Sequence, residues 1–365
     1  MKLFEPFQLH DITLNNRIAM APMTRSRAVN VEQKANDLIA LYYAQRASAG
    51  LLISEGTPVS DEAIGYIDIP GIYTPSQVAG WKLVTEKVHR NGGVIFAQLW
   101  HVGRISHPDV LGGKLPLAPS AINPNVKAYI KTGFVDTLTP VEMTEKDIQK
   151  TIEDFSNAAV NALDAGFDGV EIHAANGYLF HQFFMKCSNH RVDNYGGSME
   201  NRARFLFDVL DHIAQKVDIR KVGIRIAPDL DGTFGIIKDD ESDQLFEYIT
   251  EKLNDYNLAY LHISGFAGSH EQPHLRIMEV AKKYRTIYKG HYMINGGFNS
   301  QTAEKALETG VADLISFGSP FISNPDLVHR FKEGKPLNEV DRNTVYGGDE
   351  RGFTDYPTLS TQIIK

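Results

Sequence analysis

The sequence predicts an α/β fold, a single (β/α)8 TIM barrel with a long capping excursion after its third strand, and three observations predict it. Eight short apolar runs rich in β-branched residues recur along the chain. A segment of helical period, or a marked helix start, follows each of them. The whole alternation fits within 365 residues of ordinary globular composition, 42% hydrophobic and 22% charged, about the length of one large barrel. A two-domain doubly wound arrangement is the structural rival.

In chain order, the candidate strands are 17–20, 51–54, 94–99, 169–172, 222–226, 260–263, 292–294 and 314–317. Most are too continuously apolar to carry one wet face, which suits parallel strands covered on both sides. The first is followed by a helix over 37–47. The second leads to Thr74-Pro75-Ser76-Gln77, a capping box with proline at the first helical position. After the third comes the excursion, and then Ile148, Ile152, Phe155, Ala159 and Ala162, whose spacing of i, i+4, i+7, i+11, i+14 puts all of them on one helical stripe. Thr144, three residues before Asp147, starts that helix as a capping box with Asp in place of the usual Glu. Helices over 198–217, 240–257, 274–284, 300–308 and 325–333 follow the remaining strands. The excursion, about 101–141, reads as irregular chain crowded with glycine and proline and without a helical stripe. Irregular chain of that length is uncommon unless it has a task, such as capping an active site.

Composition excludes several chemistries. One cysteine, Cys187, supplies neither a disulfide nor a thiolate cage for zinc or iron–sulfur. A formal net charge of −8 without a long Lys/Arg cluster leaves no footprint for nucleic acid or an anionic membrane. No run approaches the roughly 18 apolar residues of a membrane span, and the amino terminus lacks a signal-peptide core. The expectation is a cytoplasmic protein, monomer or homodimer, with a small-molecule partner. The chain has no Gly-x-Gly-x-x-Gly, no Gly-Lys-Ser/Thr and no Gly-x-Ser-x-Gly, so Rossmann, Walker and nucleophile-elbow chemistry are out. His270-Glu271-Gln272-Pro273-His274 matches the zinc-protease pattern in letters only. Its proline breaks the helix that would hold both imidazoles on one face, so no metal is expected.

Catalytic groups of a barrel sit at the carboxyl ends of its strands. Read in order, those ends give Pro22-Met23-Thr24-Arg25, Glu55-Gly56-Thr57, Gln98-Leu99-Trp100-His101, His173-Ala174-Ala175-Asn176-Gly177-Tyr178, Arg225, Asn295-Gly296-Gly297 and Phe317-Gly318-Ser319-Pro320. They hold hydrogen-bonding amides, one fixed cation, an imidazole with an amide three residues on, and a tyrosine acid. The glycine turns after strands seven and eight stand where barrels commonly bind phosphate. No carboxylate pair is present, which argues against glycosidase chemistry.

Over essentially its whole length the chain resembles the old yellow enzyme family of flavin-dependent ene-reductases. The resemblance rests on Ala21-Pro22-Met23-Thr24-Arg25, on Gln98-Leu99-Trp100-His101-Val102-Gly103-Arg104, on the run Glu171 to Leu179, on Asp193-Asn194-Tyr195-Gly196-Gly197-Ser198 and on Tyr346-Gly347-Gly348. It implies one non-covalent FMN, NAD(P)H as electron donor, and reduction of activated C=C bonds in a ping-pong cycle. By motif position it implies that His173 and Asn176 donate hydrogen bonds to the substrate oxygen and that Tyr178 protonates the α carbon. Around the flavin it implies Pro22 and Met23 packed on the ring, Thr24 at the C4 carbonyl, Gln98 on the pyrimidine edge and Arg225 at N1/C2. It further implies that Gly56 leaves room for the ring, and that Gly296, Gly297, Phe317, Gly318 and Ser319 form the phosphate turns. Trp100, Tyr346 and Phe266 would line the substrate side. His101 and Arg104 either serve chemistry or anchor the excursion. One departure stands out: the family usually reads Phe-Gly-Arg-Pro where this chain has Phe317-Gly318-Ser319-Pro320. A neutral serine donor replaces charge-assisted bonds about twice as strong, so weaker FMN retention than is typical is expected.

Overall fold

The computed structural model describes residues 1–265 and 272–362. Eight parallel strands close into a barrel: β1 (Ile18–Met20), β2 (Leu51–Pro58), β3 (Ile95–Trp100), β4 (Gly169–Ala174), β5 (Val222–Ile226), β6 (Tyr260–Ser264), β7 (Tyr292–Asn295) and β8 (Leu314–Phe317). Each pairs with the next, and β8 returns to β1 with Ile315 beside Ile18. Every candidate strand of the sequence is thus present, several extended by one to four residues at the carboxyl end. Around the barrel run α1 (Asp37–Ala44), α2 (Pro75–Arg90), α3 (Glu145–Asp164), α4 (Met199–Ala214), α5 (Ser242–Lys252), α6 (Pro273–Arg285), α7 (Ser300–Glu308) and α8 (Leu327–Glu333). Both capping boxes form: Thr74 with Gln77, and Thr144 with Asp147. Ile148, Ile152, Phe155, Ala159 and Ala162 are all buried, as their shared stripe requires.

Three features escape the element count. An amino-terminal hairpin, Phe7–Leu9 with Ile12–Leu14, packs Leu9 and Leu14 among Ala19, Leu51, Phe96 and Leu314 at the strands' amino ends. That plug leaves the carboxyl end as the open end. The excursion is less irregular than its composition suggests, since it contains the hairpin Lys127–Ile130/Gly133–Asp136 and the short pair Leu117–Ala118/Val141–Glu142. Tyr129 and Phe134 face each other across that hairpin with ring centroids 5.0 Å apart, a cross-strand pair that stabilises it. Finally, the carboxyl-terminal segment folds back over the barrel mouth. Arg25 donates to the carbonyls of Val345 (2.9 Å) and Gly352 (2.8 Å), and Arg27 to that of Thr344 (2.7 Å). Phe353 stacks on Tyr42 at 4.1 Å. Guanidinium groups only donate, and these buried ones use main-chain carbonyls as acceptors.

The capping excursion has its own small core, in which Ile64, Ile69, Val102, Ile105 and Leu111 pack with Trp100 and Tyr178. Arg104 anchors it, donating to Ile122 O at 3.3 Å and to Gly235 O at 2.9 Å, while buried His101 accepts from Gly103 N–H at 3.0 Å. Of the two readings of that pair, the anchoring one matches these bonds. Pro273 opens α6, so the first histidine of the zinc-like match lies upstream of the helix. His270 itself, like Phe266, lies outside the described residues.

Candidate active site

A cavity of about 610 Å³ opens at the carboxyl end of the barrel, within the range of small-molecule and cofactor sites. Of the residues named from sequence, Pro22, Met23, Thr24, Gly56, Gln98, Trp100, His173, Asn176, Tyr178, Arg225, Gly318, Ser319 and Tyr346 line it. Gly296, Gly297 and Phe317 do not. Phe317 turns its ring onto Phe331 at 5.2 Å, and Gly296 is held close to Ile277 of α6. Gly56 has a second reason to be glycine. A β-bulge on β2 between Ile53 and Gly56 brings this residue against β3, where an added Cβ would run into the Trp100 indole. The glycine makes room for tryptophan, and so sets where the cavity wall stands.

On one side of the cavity the local backbone presets the donors. Asn176 holds φ at +57°, a left-handed conformation that asparagine tolerates better than most residues. Ser264 Oγ–H stands 3.4 Å from Asn176 Oδ1 and equally 3.4 Å from Ile226 O, with the Asn176 Nδ2 hydrogens on the cavity side. His173 Nδ1 accepts from Ala175 N–H at 3.4 Å, so the ring proton belongs on Nε2. Burial, reinforced by the Arg225 guanidinium, holds this imidazole far below its ordinary pKa. It is therefore a neutral N–H donor. Tyr178 is buried beside both, 5.1 Å from the His173 ring and 4.9 Å from Trp100. Burial, with Tyr66 next to it, pushes the phenol well above its ordinary value, so it keeps its proton.

The cation stands beside the imidazole, since Arg225 of β5 is the register partner of His173 of β4. Arg225 donates to Asn295 Oδ1 at 3.3 Å, and Asn295 Nδ2 is tied to Ser316 O at 2.9 Å. Among the described residues the Arg225 Nε is buried without a partner, and a buried donor left unmade is costly. Gln98 donates its Nε2 to Glu171 at 2.8 Å, which leaves its carbonyl oxygen as an acceptor.

Sequence reasoning missed Tyr66, Phe234, Val345 and Arg342, all of which line the cavity. Tyr66 hydrogen-bonds the Tyr178 hydroxyl at 3.1 Å and stacks on Trp100 at 5.4 Å. It reaches the site because the loop after β2 pairs with Tyr129 of the excursion, a long-range contact with no local signal. Asn295 was visible as a strand end, but its grip on Arg225 was not.

A plugged barrel with a cavity at its open end, a buried cation beside a neutral imidazole, and a proton-holding phenol on the wall suits an oxidoreductase that works with a bound electron carrier. Residues 2–338 match the model of the NADH:flavin oxidoreductase / NADH oxidase family. The chain belongs to that family, the old yellow enzyme family, and is a flavin-dependent oxidoreductase of its type. It is 38% identical over 371 residues to 12-oxophytodienoate reductase 1 of Oryza sativa subsp. japonica, covering 98% of this chain and 93% of that one. Flavin oxidoreductase hxnT of Emericella nidulans is 39% identical over 379 residues, covering 97% of each. Among solved structures, morphinone reductase in complex with tetrahydroNAD superposes with a TM-score of 0.91 at 43% identity over 98% of both chains. The old yellow enzyme homologue from Zymomonas mobilis gives 0.93 at 40%, covering 98% of this chain and all of that one. Among the described residues no helix is long and apolar enough to cross a membrane.

Proposed function

We propose that this chain is an FMN-dependent ene-reductase that takes electrons from NAD(P)H and reduces the activated C=C bond of enones, nitroalkenes and related small molecules. The observation that carries the reading is the convergence of His173, Asn176 and Tyr178, each with its proton already placed, on a cavity that also holds Arg225. When bound, FMN would supply the two-electron carrier between nicotinamide and alkene. The residues fit it: Arg225 offers its unpartnered Nε to the electron-rich N1/C2 locus, Gln98 offers an acceptor to the pyrimidine N–H, and Pro22, Met23 and Thr24 line the wall beside them. A nicotinamide donor accords with the tetrahydroNAD complex of morphinone reductase, and donor and alkene taking turns at one flavin would make the kinetics ping-pong.

The chain's own groups then act on the substrate. His173 Nε2–H and Asn176 Nδ2–H hold its carbonyl or nitro oxygen and polarise the conjugated bond. As hydride reaches the β carbon, negative charge gathers on that oxygen, and donors fixed beforehand stabilise it without reorganising. Tyr178 delivers a proton to the α carbon from the side that faces it. An anaerobic absorbance titration tests the assignment: a flavin spectrum that bleaches with NADPH or NADH and recovers with cyclohexenone is the expected result. A protein that stays colourless and inactive after added FMN would refute it.

The flavin phosphate needs a cation, and Ser319 does not provide one. Arg342 lines the same cavity and makes no ion pair or hydrogen bond among the described residues. With Arg225 committed to the buried end, Arg342 is the cation that suits the phosphate. Arg342→Ala is expected to weaken FMN binding about tenfold, the scale of a charge-assisted bond of ~1.5 kcal/mol, and to leave riboflavin, which lacks the phosphate, unchanged. Ser319→Arg in that background restores FMN binding. Equal losses for FMN and riboflavin in a fluorescence titration would remove Arg342 from the phosphate site.

A further inference from the structure

Beneath the cavity floor a chain of hydrogen bonds crosses the barrel. Ser316 Oγ on β8 lies 2.8 Å from His262 Nε2 on β6, His262 Nδ1 lies 2.8 Å from Glu171 Oε2 on β4, and Glu171 Oε1 accepts from Gln98 Nε2 on β3 at 2.8 Å. Every member is buried, and only Gln98 reaches the cavity. The order Ser–His–acid copies a hydrolase triad. With Ser316 1% exposed and off the cavity wall, however, no substrate carbonyl can reach its hydroxyl.

Chemistry fixes the direction of this chain. A carboxylate only accepts, so Gln98 must present its NH2 group to Glu171, and His262 must present Nδ1–H. The other His262 nitrogen then accepts from the Ser316 hydroxyl. Burial works to raise the Glu171 carboxyl, but the His262 ring, the Arg225 guanidinium and the Gln98 bond outweigh it, and the carboxyl sits below its ordinary value. Burial lowers His262 against the pull of Glu171, which keeps the imidazole neutral. Glu171 is thus a buried charge, and its nearest formal counter-charge at the site is Arg225.

We propose that Glu171, steadied by His262 and Ser316, is a positioning residue for the flavin site. It locks the Gln98 amide with its carbonyl oxygen toward the cavity, and it sets a negative charge against Arg225 that limits how much more tightly reduced flavin is held than oxidised flavin. Reduced flavin is anionic at N1/C2. Arg225 alone would favour it strongly, and a carboxylate behind the pyrimidine edge offsets part of that preference, because a charge acts at longer range inside protein than in water. The inference rests on the FMN reading above.

The test uses Glu171→Gln as holoenzyme, with two readouts that do not depend on turnover. Removing the charge should raise the reduced-to-oxidised affinity ratio about tenfold, an upward shift of about 30 mV in the two-electron midpoint potential. Freeing Gln98 to flip should weaken oxidised FMN at least threefold. Glu171→Asp, which keeps the charge and shortens the reach, should hold the potential near wild type while still weakening FMN. Should Glu171→Gln not fold, Ser316→Ala loosens the far end of the chain and, with the charge retained, should weaken oxidised FMN by less while leaving the potential near wild type. If wild-type protein takes up FMN and these variants keep both its potential and its affinity, Glu171 has no such role and the flavin reading stands. If wild-type protein takes up no flavin, the reading beneath fails as well.

Discussion

Replacing His173 by alanine is expected to slow enone reduction by about 10²–10³-fold, the cost of removing one preorganised donor from a site of developing negative charge. The size follows from geometry. The Ala175 N–H occupies Nδ1, so the imidazole has a single free N–H, and its loss leaves Asn176 as the other donor assigned to the substrate oxygen. The loss should fall on reoxidation of reduced flavin by the enone, measured by stopped-flow absorbance, with folding checked by thermal melting. Asn176→Ala should show a loss of the same order, and the double variant less than the product of the two, since both donors serve one oxygen. A pH signature accompanies this. Burial and Arg225 depress the His173 pKa far below its ordinary 6.5. The ring therefore stays neutral as pH falls through 6.5, and the enone step should show no histidine inflection there. A bell-shaped profile centred near 6.5 that vanishes in His173→Ala would mean that the ring titrates as an ordinary exposed histidine, and the donor assignment would fall.

The second large effect belongs to Tyr178. General acid catalysis contributes about 10²–10⁴-fold, and Tyr178→Phe should cost an enone that much while leaving reduction of the flavin by NAD(P)H near wild type. The buried phenol is fully protonated at any working pH, because burial and the Tyr66 hydroxyl raise its pKa. Its acidity is needed only after the α carbon has become carbanionic, when the acceptor is a far stronger base than water. Acceptors that take electrons without a proton on carbon, such as a quinone, should therefore be spared by the substitution. Equal slowing of enone and quinone would point to lost packing against Trp100 and His173, and water would then be the proton source. The Tyr66 bond at 3.1 Å makes Tyr66→Phe a useful companion, expected to change the rate far less because Tyr178 keeps its own proton.

Particular residues show what the sequence could and could not reveal. Strand 222–226 is recognisable because each of its residues is buried on both faces of a parallel sheet, and α3 because Thr144 caps it and its stripe is unbroken. His173, Asn176 and Tyr178 lie within six residues at one strand end, so a short motif carries all three. Gly56 is only partly legible, for the opposite reason. The sequence shows only that a small residue is required, whereas the neighbour that requires it, Trp100, arrives through a bulge in another strand's register. Tyr66, Phe234, Val345 and Arg342 come from loops and the returning carboxyl-terminal segment, where no periodicity constrains side-chain direction.

By itself, the sequence determined the barrel, the order of its elements and the motif residues at the strand ends. Those depend on local signals: continuous apolar runs, a helical stripe of period 3.6, caps, and contiguous runs of chemistry. Only the tertiary structure decided which nitrogen of His173 carries the proton, which way the Gln98 amide faces, and that Arg342 lines the same cavity as Ser319. Each depends on a partner distant in sequence, as Glu171 is from His262, brought within hydrogen-bond range only when the barrel closes.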